Sequence, residues 1–309
     1  MNKFTKAGFA GLFLSLTAVL ASCGGTSTST TDTAAVTADV YPVTVGDLTL
    51  EAQPVSIISL SPTATEMLYA IGAGSQVVAV DEYSNFPAEA VALGTKLSGF
   101  EPNIEAISSY SPDLVIVSYD PGSLVEQLGT LNIPVFVAGA AMSLENVYEQ
   151  IEQLGVLTGH SQAAIEVSKT LQTGIEEAVA SVKFSEPPLS YYYELDNTYY
   201  SVTSNTFVGQ IFNLFGMSNI ADNVESGNDY PQLSAEVIVS SDPDFIFLAD
   251  TKCCAQDATT VAARDGWGGL KAVTANQVVE LDDDVASRWG PRVLDLITAI
   301  RDAVAAANS

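Results

Sequence analysis

The stretch EAISSYSPDLVIV, Glu105 to Val117, recurs in plan as EVIVSSDPDFIFL, Glu236 to Leu248. Each copy runs Glu, an Ile two positions on, a Ser four on, Pro-Asp at seven and eight, then four apolar residues. A proline disfavours helical backbone in the residue before it, so a helix that opens near the Glu should end ahead of Pro-Asp. The unbroken apolar quartet that follows suits a strand buried on both faces. A helix feeding a buried strand is an ordinary connection, and it accounts for the Pro-Asp and the quartet. It does not account for a Glu at the same offset in both copies.

Around each copy, short apolar runs alternate with amphipathic ones. From Pro54 the order is VSIISL strand, TATEMLYAIG helix, VVAV strand, NIEAISSY helix, DLVIV strand, SLVEQLGTL helix, PVFVA strand. That rhythm predicts a parallel sheet covered by helices. SLENVYEQIEQLGVLTG follows, with apolar residues at 144, 147, 151 and 154. HSQAAIEVSKTLQTGIEEAVASVKF comes next, without proline, and suits a helix of about 20 residues, near 30 Å long. After SEPP the α/β rhythm restarts with LSYYYEL, TFVGQIFNLFG, SAEVIVSS, DFIFLA and VVEL, and a last helix runs from about Pro291 to Ala307. The expected fold is therefore α/β, with two Rossmann-like lobes of mostly parallel central sheets joined by a single long α-helix.

The first 22 residues carry Lys3 and Lys6 ahead of an apolar run that is too short to span a membrane and stay there. The run ends in LASC, Leu20 to Cys23, which resembles a bacterial lipobox and implies cleavage before Cys23 and acylation of its sulfur. Two or more acyl chains, at about 0.8 kcal/mol per buried methylene, anchor a protein stably. GGTSTSTTDTAAVTADV, 24–40, has too little apolar surface to offset the entropy of ordering and reads as a tether. The expected organisation is a lipoprotein signal peptide over 1–22, a lipidated Cys and flexible tether over 23–52, and an N-terminal lobe over 53–141. Connecting helices fill 142–184 and a C-terminal lobe 185–309. The body should be extracytoplasmic, monomeric and lipid-anchored to the cell membrane.

Composition narrows the chemistry. The formal charge is −26, and without the two signal lysines 9 Lys+Arg stand against 37 Asp+Glu, or −28. Such a surface stays soluble and is a poor partner for nucleic acid, whose phosphates need clustered cations. With one histidine, His160, and two cysteines beyond Cys23, a His/Cys transition-metal site cannot be assembled. His160 reads as a helix-start residue, and Cys253 and Cys254 as structural or incidental, with a strained vicinal disulfide as one option. Asp282-Asp283-Asp284 lacks the spaced ligands and Gly of a calcium loop. No G-x-S-x-G elbow is present, and the glycines of IGAGSQV follow a helical run and read as its stop.

ISLSPTATEMLYAIGAGSQVVAV, NIEAISSYSPDLVIV, YPQLSAEVIVSSDPDFIFLAD and SRWGPRVLDLI, taken in that order, resemble the substrate-binding lipoproteins of ABC importers for cobalamin and ferric siderophores. The resemblance covers about residues 54–307. It implies a carrier without catalysis or cofactor, delivering its ligand to a membrane permease dimer. It further implies that Glu105 and Glu236 are the carboxylates, one per lobe, that dock to permease arginines, which accept them in a bidentate fork. The ligand should lie between the lobes, where strand ends place Tyr83, Phe100, Tyr200, Tyr230, Asp284, Arg288 and Trp289. Four arginines in so acidic a chain favour near-neutral cobalamin or a hydroxamate chelate over a ferric tris-catecholate of about −3, and cobalamin is the preferred cargo. A haem binder of the same fold, with Tyr83 or Tyr230 as axial ligand, and an enzyme built on a carboxylate pair such as Asp81 and Glu82, are the alternative readings.

Overall fold

The computed structural model describes residues 39–308, so the signal peptide, Cys23 and most of the tether lie outside the described residues. Ten strands are present among them. β1 (Val43–Val45) and β2 (Leu48–Leu50) form an antiparallel hairpin. β3 (Ile57–Leu60), β4 (Val77–Val80), β5 (Leu114–Val117) and β6 (Val135–Val137) make an all-parallel sheet in the order β4-β3-β5-β6. β7 (Ser190–Glu194), β8 (Ser218–Asn219), β9 (Phe245–Leu248) and β10 (Val278–Glu280) make a second, in the order β10-β9-β7-β8. Numbered within each lobe, both sheets read second-first-third-fourth. The chain lays its first strand, steps to one side, then crosses back to the other. The two lobes therefore share a topology as well as a motif.

The repeated motif is that crossing step. Its helices, Ile104–Ser108 and Ala235–Ser241, start on the side-chain caps of Asn103 and Ser234. Ile107 and Ile238 are buried beneath them. Ser111 and Asp242, at the same offset, take positive φ of 49° and 43° and turn the chain out of the helix. The Asp of each Pro-Asp then clamps the start of the neighbouring first strand. Asp113 accepts the Val55 and Ser56 N–H groups at 2.9 and 3.0 Å, and Asp244 accepts the Ser190 N–H and hydroxyl at 2.8 Å each. LVIV and FIFL are buried at every position, as strands covered on both faces require.

Between the lobes run the helices Leu144–Thr158 and Ser161–Ala180, the second of 20 residues. They cross closely at Gly155, where a Cβ would stand 2.4 Å from that of Ala164. The last helix, Val293–Ala307, buries Val293, Leu296, Ile297, Ile300 and Val304 in the same core as the spacer's Leu171, Ile175 and Ala178. His160 begins the spacer helix and its Nδ1 lies 2.9 Å from the Thr158 carbonyl oxygen. Gly72, at φ +85°, follows the helix Pro62–Ala70 and lets the chain turn, a stop and not a dinucleotide loop.

One expectation needs correction: the tether does not extend to residue 52. Residues 43–50 pair as the β1–β2 hairpin, Leu50 is buried, and the hairpin sits on the helix 144–158. Tyr41 donates its hydroxyl to the Leu157 carbonyl at 3.0 Å and Gln53 its amide to that of Thr158 at 2.7 Å, closing the helix's last turn. Cys253 and Cys254 are free thiols, the first exposed.

At the carboxyl ends of β7 and β9 the C-terminal lobe is plugged by charge. Arg264 donates from Nη1 and Nη2 to the two carboxylate oxygens of buried Glu194, both at 2.6 Å, and lies 4.5 Å from the Trp267 ring centroid. Beside them Asp250 is fully buried, with no protein donor to either oxygen. Burial, and then the charge of Glu194, push its carboxyl well above the usual carboxylate range. The folded state therefore holds a proton that the unfolded chain releases, and stability falls as pH rises from the ordinary Asp range through the raised one. Asp250→Asn removes that penalty. Its midpoint in thermal unfolding should exceed that of the parent by about 2–4 °C at pH 8 and by less near pH 4, whereas equal midpoints at pH 8 would show Asp250 to be ionised without cost.

Candidate functional site

In the N-terminal lobe the equivalent strand ends are open. A cavity of about 370 Å³, open to solvent, is lined by Leu60 at the end of β3 and Ser61, Pro62 and Thr63 after it, Asp81 and Tyr83 after β4, and Ser118 and Tyr119 after β5. Gly99 and Phe100 add a side wall, and Asp284, Ser287, Arg288 and Trp289, which follow β10, close it from the other lobe. The cavity thus sits outside the carboxyl ends of β3 and β5, the point where the strand order reverses, and this is where open parallel sheets take ligands. Three exposed aromatics form its mouth. Tyr83 and Phe100 meet edge to face with centroids 5.6 Å apart, and Tyr119 lies 6.4 Å beyond Phe100. Their exposures of 53, 63 and 44 per cent leave large flat faces uncovered.

Of the seven residues expected to bind ligand, Tyr83, Phe100, Asp284, Arg288 and Trp289 line this cavity. Tyr200 and Tyr230 do not: Tyr200 pairs with Gln232 in an isolated bridge, and Tyr230 follows the turn in which Asn228 Oδ1 accepts its N–H. Both are exposed on the C-terminal lobe. Tyr119 escaped the sequence reading although it stands two residues past a buried strand, the same signal that singles out Tyr83. The carboxylates of Asp81 and Glu82 diverge, Asp81 being buried in the wall and Glu82 exposed outside it, so they do not form a converging catalytic pair. Among the described residues no cluster of three or more His, Cys, Asp and Glu could hold a metal ion.

Arg288 is bound by the protein itself. It donates to Glu66 Oε1 at 2.8 Å, to Asn85 Oδ1 at 2.9 Å, to the Tyr83 carbonyl at 3.0 Å and to Asp284 Oδ1 at 2.7 Å. Glu66, with 1 per cent of its side chain exposed, also accepts two bonds from Arg292, at 2.9 and 2.5 Å. That hydrogen bond is the main cause holding the Arg292 guanidinium above its ordinary value. On the far side Asp284 accepts from Lys252 at 2.7 Å and from Asn85 at 3.1 Å. Burial works against its charge, but Lys252, Arg288 and Asn85 hold its carboxyl below the usual range. Glu66, Tyr83 and Asn85 belong to the N-terminal lobe, whereas Lys252, Asp284, Arg288 and Arg292 come after β9, so this one network ties the lobes across the floor of the cavity. Trp289 ties the same segment to the connecting helix 144–158, its Nε1 donating to Gln150 Oε1 at 3.0 Å.

Glu105 and Glu236 occupy the first turn of their helices and are exposed. A helix that precedes a parallel strand runs antiparallel to it, so both carboxylates lie at the carboxyl end of their own sheet, the end at which the cavity opens.

Residues 57–285 match the protein family described as periplasmic binding protein. The chain is 28 per cent identical over 312 residues, 97 per cent of each chain, to an uncharacterized ABC transporter substrate-binding lipoprotein, YvrC, of Bacillus subtilis. It is 29 per cent identical over 277 residues to a cobalamin-binding protein of Halobacterium salinarum, covering 85 per cent of this chain and 74 per cent of that one. Among solved structures it superposes on the periplasmic vitamin B12 binding protein BtuF of Vibrio cholerae with a TM-score of 0.69 and 27 per cent identity, over 83 per cent of this chain and 98 per cent of that one.

Removing one member of a buried ion network strands the others. Glu66→Ala should destabilise the protein by about 3–5 kcal/mol in denaturant unfolding, because two guanidinium groups lose their shared carboxylate. A loss below about 1 kcal/mol would mean that the network contributes little to holding the lobes.

Proposed function

This chain belongs to the periplasmic binding protein family, and from that premise we propose that it is the extracytoplasmic substrate-binding component of an ABC importer whose cargo is cobalamin. The observation that carries the reading is the cavity's combination of uncovered aromatic faces with ion pairs closed upon themselves. Tyr83, Phe100 and Tyr119 offer flat apolar surface to a large planar ligand. Arg288 has all four Nη hydrogens taken by Glu66, Asn85, Tyr83 and Asp284, so among the described residues no unpaired cation lines the cavity to receive an anionic chelate. A ferric tris-catecholate entering here would be desolvated beside Asp284 in a strongly acidic protein. Cobalamin, near neutral and edged with amides, meets no such cost.

The protein performs no chemistry on this reading and uses no cofactor of its own; the ligand is cargo. Capture consists of laying the ligand's face on the aromatic rim while the strand-end hydroxyls and carboxylates meet its polar edge. Delivery follows from the repeated motif. Each lobe presents one glutamate on a capped helix at the cavity end of its sheet, and a two-subunit permease offering an arginine to each would orient the open mouth toward the membrane. The LASC signal and the lipoprotein relative support anchoring through Cys23 to the outer face of the cell membrane.

Two outcomes are expected. In calorimetric titration, cyanocobalamin should bind the chain from residue 24 onward one to one, and Tyr83→Ala combined with Phe100→Ala should weaken it at least about tenfold, or 1.4 kcal/mol. No binding to the parent chain would refute the cargo. Glu105→Arg together with Glu236→Arg should abolish uptake by cells that depend on this carrier, and normal uptake with both charges reversed would refute the docking role.

A further inference from the structure

Behind the cavity wall lies a chain of buried hydroxyls with one proton too few. Asp81 Oδ1 is 2.5 Å from Ser84 Oγ, Ser84 Oγ is 2.8 Å from Thr65 Oγ1, Thr65 Oγ1 is 2.9 Å from Ser59 Oγ, and Ser59 Oγ is 3.1 Å from the Ser61 carbonyl oxygen. All five residues are buried, with Asp81 at 3 per cent and Ser84 at 5 per cent exposure. A carbonyl only accepts, so Ser59 must donate to Ser61, Thr65 to Ser59 and Ser84 to Thr65. Three hydroxyl protons serve three of the four contacts. If Asp81 were ionised it would draw the Ser84 proton, leaving two oxygens, of Ser84 and Thr65, facing each other at 2.8 Å without one. A proton on Asp81 fills all four contacts in a single direction.

We propose that Asp81 stands as a neutral carboxylic acid whose Oδ1 donates to Ser84, and that its uncovered Oδ2 consequently accepts from an uncharged donor of the ligand, such as an amide N–H or a hydroxyl. The inference rests on the carrier reading above. Asp81 lines the cavity beside Gly99, where a Cβ would come within 3.2 Å of Asp81 Oδ2, so only a glycine leaves that oxygen uncovered on this side. The surroundings agree. Burial raises the Asp81 carboxyl above its usual range and the neighbouring Glu82 adds to it, while Arg288 opposes. A Ser84 hydroxyl donating to Asp81 opposes as well, as does a backbone hydrogen bond, and it is the proton count along the chain that turns the Ser84 hydroxyl toward Thr65 instead. The other charged or titratable groups facing this wall are Tyr83, Tyr119 and Asp284. Glu66, on the same helix as Thr65, has its charge met by Arg288 and Arg292, and Lys96 on the adjoining segment is exposed.

The test begins without ligand. In the chain labelled with ¹³C-aspartate, the Asp81 carboxyl resonance, identified by its absence from Asp81→Asn, should titrate with a midpoint well above that of an ordinary aspartate. Ser84→Ala should lower that midpoint, because it removes the acceptor of the acid's proton. A midpoint in the ordinary range, or a rise in Ser84→Ala, would overturn the proposal, since both mean that Ser84 serves a carboxylate. With cyanocobalamin as probe, affinity should rise about fivefold as pH rises through the midpoint, because the ionised Oδ2 is the stronger acceptor, and this slope should be missing in Asp81→Asn. The same slope in both would overturn the selective role. Absence of cyanocobalamin binding at every pH would remove the cargo reading instead, and the resonance would still decide the proton.

Discussion

The buried carboxylate of Glu66 is the contact on which the arrangement of the lobes depends. It lies on the first helix of the N-terminal lobe and receives Arg288 and Arg292 from the chain segment that follows the last strand of the other, across 222 and 226 residues of sequence. Two guanidinium groups on one carboxylate leave a net positive charge, which Asp284 offsets from the far side and which Lys252 and Asp282 extend to the surface. The charges are satisfied inside the protein, so the floor of the cavity is set by the network and its mouth is left to aromatic surface. The same facts that hold the lobes thus decide what the cavity can take.

The two lobes are built alike and used differently. Both fold with the same strand order and carry the crossing motif, and both clamp the first strand with the Asp of Pro-Asp. At the point where the strand order reverses, the C-terminal lobe is filled by Glu194, Arg264 and Asp250 beneath Trp267, whereas the N-terminal lobe offers serines, Asp81 and open space. A duplicated architecture has two potential ligand sites at its strand ends. Here one is closed by an ion pair and the other is walled by the segment 284–289. The spacer helix and the C-terminal helix pack into one core with both sheets, which favours small rigid-body adjustment over wide closure.

Much of this was legible in the sequence, for identifiable reasons. Buried parallel strands are continuous apolar runs and their helices carry a clear period, so the two sheets and the spacer emerged from pattern alone. The hairpin at 43–50 was lost to the tether because its alternation, VTVGDLTL, is brief and joins a stretch of Ser and Thr; the Gly46-Asp47 turn between the two valine- and leucine-bearing runs was the available signal. Strand β8, two residues long, has no pattern to find. At the site, position after a strand located Tyr83, and the same rule applied to LVIVSY would have located Tyr119. Tyr200 and Tyr230 follow comparable cues in a lobe whose strand ends are plugged. The pairing of Glu66 with two arginines, and the hydroxyl chain behind Asp81, depend on contacts between distant segments and leave no local trace.

The claim at the centre is that the cavity takes a near-neutral planar cargo because its cations are already satisfied. Its most direct test is a side-by-side calorimetric titration of the chain from residue 24 with cyanocobalamin and with a ferric tris-catecholate at the same pH and ionic strength. Tight one-to-one binding of cyanocobalamin with no measurable heat from the catecholate is the predicted result; tight binding of the catecholate, with or without the corrinoid, would contradict it.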